Sequence, residues 1–124
     1  MFTILHLSDL HRSHQEPVDN TSLLAALVND QDRARRETPQ VPPPDAIIVS
    51  GDIIQGARVG ERGWSDIIRD QYAVAEAFLG ALADTFLDGD RRRLILVPGN
   101  HDVCWNTAFE AVDEIAIDPA KQRI

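Results

Sequence analysis

Gly99-Asn100-His101-Asp102 is the densest run of chemically useful side chains in this sequence, and it follows directly on the apolar run Leu94-Ile95-Leu96-Val97-Pro98. Two earlier segments repeat that arrangement. The β-forming residues 2–8 lead into Asp9-Leu10-His11, and Ala46-Ile47-Ile48-Val49-Ser50 leads into Gly51-Asp52. A carboxylate and an imidazole two positions apart suit a divalent transition metal. Period-two alternation at a strand end predicts that Asp9 and His11 project to one side and Leu10 to the other. The two oxygens of Asp52 allow it to bridge two cations, the arrangement used for phosphoryl transfer. Gly51 would let the backbone pass close to those cations. Asn100 offers a neutral carbonyl oxygen as a further ligand. His101 can donate a proton beside the metals without binding them, with Asp102 orienting its imidazole. Arg12, directly after His11, can reach a substrate phosphate.

These clusters must be brought together by the elements that precede them. Residues 2–8, 46–50 and 94–97 read as strands, each apolar and β-branched and each closed by a polar break. Between the first two, Asn20 or Thr21 can cap a helix to about residue 37 carrying Leu23, Leu24, Leu27 and Val28. The proline run at 39–44 then acts as a stiff connector. Residues 55–63, with Gly56, Gly60 and Gly63, form a loop leaving the second cluster and overhanging the site. Ser65 can cap the next helix, in which Ile68, Tyr72, Ala75, Leu79, Leu82 and Phe86 recur at intervals of four and three and pack on a sheet. Arg91-Arg92-Arg93 is a solvated strand entrance. A last helix is expected over about residues 107–117, ended by Pro119. Alternation of strand and helix predicts an α/β fold with a mainly parallel sheet and helices on its faces. Such a sheet presents the carboxyl ends of its strands along one edge, where ligands bind.

The bulk composition narrows the function classes. A chain of 124 residues makes one domain at most. A net charge of −8 repels phosphate backbones, which makes nucleic acid an unfavourable partner. Cys104 is the single cysteine, so no bridge can form within the chain. The N-terminus lacks the basic and apolar regions of a signal peptide, and no apolar run has the length of a membrane span. The expected location is the cytoplasm. His6 is read as a packed, hydrogen-bonded strand residue and His14 as a surface residue. Cys104 and Trp105 are read as packing beneath the tetrad, and Trp64 as a lid residue or packing.

Taken in order, Asp9-x-His11, Gly51-Asp52 and Gly99-Asn100-His101-Asp102 resemble the motif set of the calcineurin-like metallophosphoesterase family, over residues 2–104. The resemblance implies half of that family's sheet sandwich. It also implies a hydrolase of phosphomonoesters or phosphodiesters, built on a binuclear centre of divalent Mn, Fe or Zn and a metal-bound hydroxide. By this resemblance Asp9 and His11 hold the first metal, Asp52 bridges both and Asn100 holds the second. His101 protonates the leaving oxygen or stabilises the transition state, and Asp102 orients it. The family pattern continues with another metal-binding histidine and a Gly-x-His-type segment, whereas no histidine follows His101 here. The expectation is therefore one domain over residues 1–124, incomplete at its C-terminal end. A missing C-terminal half or a partner chain would complete its metal site. The rival expectation is a truncated, non-catalytic metal-binding or interaction module of a larger protein. The family spans protein phosphatases, nucleotide and cyclic-nucleotide hydrolases and nucleases; the acidic surface disfavours the last.

Overall fold

A computed structural model of the chain describes residues 1–111. Strands β1 (Ile4–Ser8), β2 (Ala46–Ser50) and β3 (Leu94–Val97) form one parallel sheet in the order β1-β2-β3. Helices α1 (Asn20–Ala34) and α2 (Trp64–Phe86) make the two crossovers. A short 3-10 turn, Arg91–Arg93, leads into β3, and α3 (Trp105–Ala111) follows the tetrad. The strand-helix alternation expected from the sequence is therefore present, and it is consistent with half of a metallophosphoesterase.

The strands advance across the sheet in one direction. Right-handed crossovers then place both connecting helices on the same face. Leu23, Leu24 and Leu27 of α1 meet Phe78 and Leu82 of α2 over Ile47 and Val49 of β2. Phe78, Ile47, Leu82 and Val49 are fully buried; burial of such a side chain stabilises by about 1.5–3 kcal/mol. The register sets His6 opposite Ile48 and Ile48 opposite Ile95, so these residues share the opposite face. No helix among the described residues covers that face, and Ile4 and Ile95 on it are 50% and 48% exposed. His6 is accordingly exposed rather than packed, with its Nε2 2.7 Å from Ser50 Oγ.

Several element boundaries differ from the sequence expectation for local reasons. Asp19, not Asn20 or Thr21, caps α1, its carboxylate accepting from the Ser22 amide at 2.7 Å. The helix stops at Ala34, before the proline run. Gly63, at φ +74°, caps α2 and leaves Ser65 inside the helix. The apolar stripe of α2 is turned from the expected one. Ile68, Gln71, Ala75, Phe78 and Leu82 are buried, whereas Tyr72 is 46% exposed. Helix α3 begins at Trp105, two residues early, and the rest of the helix expected to residue 117 lies outside the described residues. Trp64 packs with Cys104 against Ile54, Ile68 and Ala75, so Trp64 is a packing residue, not a lid.

Candidate metal centre

All three polar clusters lie at the C-terminal ends of the parallel strands. Asp9, His11 and Asp52 offer ligand atoms that lie within 4.8 Å of one another. The geometry that gathers them is not strand alternation, because β1 has ended at Ser8. Asp9, His11 and Asp52 instead adopt left-handed backbone, at φ +53°, +46° and +48°. That region is uncommon for residues other than glycine, although Asp and His tolerate it better than most. Such conformations persist where the surroundings hold them, and they concentrate at ligand sites. Here main-chain bonds extend the β1–β2 pairing past the strands. The Asp9 amide donates to Gly51 O at 3.2 Å, the His11 amide to Asp52 O at 2.9 Å and the Arg12 amide to Ile53 O at 2.8 Å.

The tetrad closes on this group from β3. A Cβ on Gly99 would fall 2.3 Å from Asp52 Oδ1, 2.4 Å from Asp52 N and 2.8 Å from Gly51 Cα. Only glycine lets the two loops approach this closely. The approach allows the His101 amide to donate to Asp52 Oδ1 at 3.0 Å, leaving the second oxygen uncommitted. The His101 ring stands edge-on to His11, with centroids 5.1 Å apart. Asn100 is exposed and lines, with His101, a cleft of about 770 Å³ bordered by the glycine loop, Ser13, His14 and Trp105. The loop meets the tetrad directly, with Gln55 O and Gly56 against His101. His14 pairs with Asp70 of α2 across that cleft at 3.3 Å, at the surface as expected.

Two roles read from the sequence are corrected. Asp102 does not touch the His101 ring. Its Oδ1 accepts from the Ile54 amide at 2.9 Å and its Oδ2 from the Gly99 amide at 2.7 Å, so both oxygens are committed to stapling the tetrad onto the chain after β2. The ring of His101 is held by a main-chain carbonyl, Gln55 O, 2.6 Å from Nδ1. Arg12 does not reach for substrate. It is 3% exposed, and its guanidinium donates to Leu10 O, Val18 O and Asn20 Oδ1 while lying 5.7 Å over the Phe78 ring. A buried guanidinium needs acceptors for its donors, and the nearest are the carbonyls of its own loop.

Sequence reading missed two buried amides that shape the site. Gln71 of α2 accepts from the Gly56 amide at 2.8 Å and donates to Gly56 O at 3.2 Å. Asn106 of α3 accepts from the Gly60 amide at 2.7 Å and donates to Arg58 O at 3.0 Å. The available signal for Gln71 was a lone polar residue at a core position of the α2 stripe. Its neighbour Tyr72 donates its hydroxyl to Asp102 O at 3.0 Å. Partial burial, followed by the charges of Asp102 and Cys104, raises the phenol above its ordinary value of 10.0.

The donor set fits a divalent cation. Two carboxylates and an imidazole converge, and the His11 Nδ1 atom is buried without a hydrogen-bond partner. Such orphaned polar atoms are rare, because burial without a partner is costly. No helix among the described residues is long and apolar enough to cross a membrane. A family model described as calcineurin-like phosphoesterase matches residues 2–122 of the chain. No curated relative matches it.

Proposed function

Because the chain belongs to the calcineurin-like phosphoesterase family, we propose that it hydrolyses phosphate monoesters or diesters at a divalent-metal centre formed by Asp9, His11, Asp52 and Asn100. The observation that carries this reading is the convergence of Asp9, His11 and Asp52 within 4.8 Å, with the His101 ring 5.1 Å from His11. Bound divalent cations, of the Mn, Fe or Zn class, supply Lewis-acid activation of water and neutralise phosphate charge. The protein's own residues do the rest. Asp52 and Asp9 provide the negative charge that holds the cations. The His101 amide orients the Asp52 carboxylate. With Nδ1–H committed to the Gln55 carbonyl, the His101 ring in its doubly protonated form would turn Nε2–H toward the leaving oxygen and give up that proton. The cleft beside Asn100 receives the ester.

No histidine follows His101 in the sequence, so the remaining ligands of a second cation come from further sequence or a partner chain. The single domain spanning residues 1–124 is on this reading incomplete by itself. The lone cysteine, which has no partner in the sequence for an intramolecular bridge, supports a cytoplasmic location. The competing reading, a non-catalytic metal-binding module, is favoured by one observation: only three of the His, Asp, Glu and Cys side chains among the described residues form such a group.

Calorimetry with Zn and Mn, together with hydrolysis of an aryl phosphate monoester and diester, tests both readings. Asp52→Asn should abolish binding and turnover together. His101→Gln should lower turnover and leave metal binding nearly intact. Metal binding without hydrolysis, in the presence of any completing chain, would select the module. Absence of metal binding by the wild-type chain would refute both.

A further inference from the structure

Gln71 sits at a core position of α2 and is 7% exposed, yet it is polar at both ends of its amide. Burying an amide among apolar side chains is costly unless its donor and acceptor are both satisfied. Gln71 satisfies both on one residue, Gly56, accepting its N–H at 2.8 Å and donating to its carbonyl at 3.2 Å. This two-point pairing imitates a strand neighbour. It fixes the position and the rotation of the Gly56 peptide, and so of the Gln55 carbonyl that precedes it. That carbonyl lies 2.6 Å from His101 Nδ1. A carbonyl can only accept, so Nδ1 must carry the proton. Gly56 itself is locked against the tetrad. At φ +79° it is in left-handed backbone, and a Cβ there would meet His101 O at 3.0 Å and Nδ1 at 3.5 Å.

We infer that Gln71 is the positioning residue that holds His101 in a single tautomer, through the Gly56 peptide and the Gln55 carbonyl, so that Nε2 is the nitrogen offered to substrate. This rests on the reading of His101 as the proton donor: with Nδ1–H held by the carbonyl, Nε2 is the nitrogen that takes up the ring's second proton and passes it to the leaving oxygen. The position that a carboxylate could have filled, hydrogen-bonded to the imidazole, is taken by a neutral peptide carbonyl. Asp102 is unable to take it, because both of its oxygens already accept backbone amides. A neutral partner gives direction to the ring without adding a third negative charge beside Asp9 and Asp52. The orientation must then come from how rigidly the carbonyl is held, and Gln71 supplies that rigidity from a helix rather than from the loop.

The test is a long-range proton–nitrogen correlation spectrum of the histidine rings. It is recorded on the metal-free full chain in mildly alkaline buffer, where a neutral imidazole reports its tautomer. The wild type should show His101 predominantly protonated at Nδ1. Gln71→Leu should lower the ratio of Nδ1–H to Nε2–H about five-fold, the effect of losing one ordinary hydrogen bond. Gln71→Glu should lower it less, since a carboxylate still accepts the Gly56 amide; this milder variant carries the test if Gln71→Leu does not fold. Tyr72→Phe removes a bond to the Asp102 carbonyl but none to the ring's carbonyl partner, and should leave the ratio unchanged. A wild-type His101 protonated at Nε2, an unchanged ratio in both Gln71 variants, or an equal loss in Tyr72→Phe would each overturn the assignment. Where the chain turns over an aryl phosphate, the Gln71 variants should lower kcat and leave KM unaltered. The tautomer readout needs no turnover, so a failure of the hydrolase reading shows in the activity assay alone and a failure of the Gln71 role shows in the spectrum.

Discussion

Gly99→Ala is the sharpest perturbation the site offers, because it adds one methyl group and removes no interaction by itself. The added Cβ would lie 2.3 Å from Asp52 Oδ1, 2.4 Å from Asp52 N and 2.8 Å from Gly51 Cα. Turning the Asp52 side chain relieves only the first contact. The other two are main-chain atoms of Gly51 and Asp52, at φ +76° and +48°, held on the β3 side by the 2.7 Å bond from the Gly51 amide to Val97 O. The tetrad loop must therefore retreat by about 1 Å to restore ordinary contact. Overpacking of this kind costs about 1–3 kcal/mol. The retreat also stretches the His101 amide bond to Asp52 Oδ1, a bond to a charged acceptor that contributes about 1.5–3 kcal/mol. Together these terms lower the melting temperature by about 10–20 °C. Misplacing the group that orients a metal carboxylate weakens metal affinity about 10–100-fold. Differential scanning calorimetry and zinc titration of the two proteins read both quantities. An unshifted melting temperature with undiminished zinc affinity would refute the claim that this glycine permits the approach of the two loops.

Three further outcomes follow from the geometry. Arg12→Met leaves the Leu10 and Val18 carbonyls and the Asn20 side chain without their donor; it should cost about 2–4 kcal/mol in urea unfolding, whereas a substrate-binding arginine would leave stability unchanged and raise KM. Asp102→Asn turns an amide NH2 toward one of the two backbone amides that the carboxylate accepts, and chemical denaturation should show a loss of about 2 kcal/mol. Asp19→Ala should lower the melting temperature at neutral pH. The Ser22 amide holds the Asp19 carboxyl below its ordinary 3.8, so the ionised cap's contribution is present above 3.8 and vanishes as pH falls through the lowered value; melting curves of the two proteins should converge there, and a pH-independent gap would contradict the capping role.

How much of this was legible in the sequence depends on what kind of information each feature carries. Strands β2 and β3 were readable to the residue, since each is an apolar run closed sharply by polar or arginine-rich neighbours. The grouping of Asp9, His11 and Asp52 was readable too, because metal-competent residue types clustered at strand ends. The reason they converge was not. Alternation along an extended chain was expected, and left-handed backbone at each of the three brings them together, which no periodicity encodes. Arg12 and Asp102 were misassigned for a common reason. Adjacency in sequence says what a side chain sits beside, not which acceptors or donors it finds, and both found backbone groups first. Gln71 was hidden in the α2 stripe because Tyr72, one position away, looked like the apolar member. The two positions are about 100° apart on the helix, and the buried stripe runs through Gln71 and Phe78 rather than through Tyr72 and Leu79.

Strand order in this sheet is also the order of synthesis. Asp9 and His11 leave the ribosome with β1, Asp52 with the adjacent β2, and the tetrad with β3 on the far side. The chain up to β2 carries both carboxylates, but neither the His101 amide that bonds Asp52 nor the Asp102 staple that fastens the tetrad. Of the candidate centre's three clusters the tetrad is thus made last, and the chain up to β2 presents Asp52 without the amide partner it has in the finished fold.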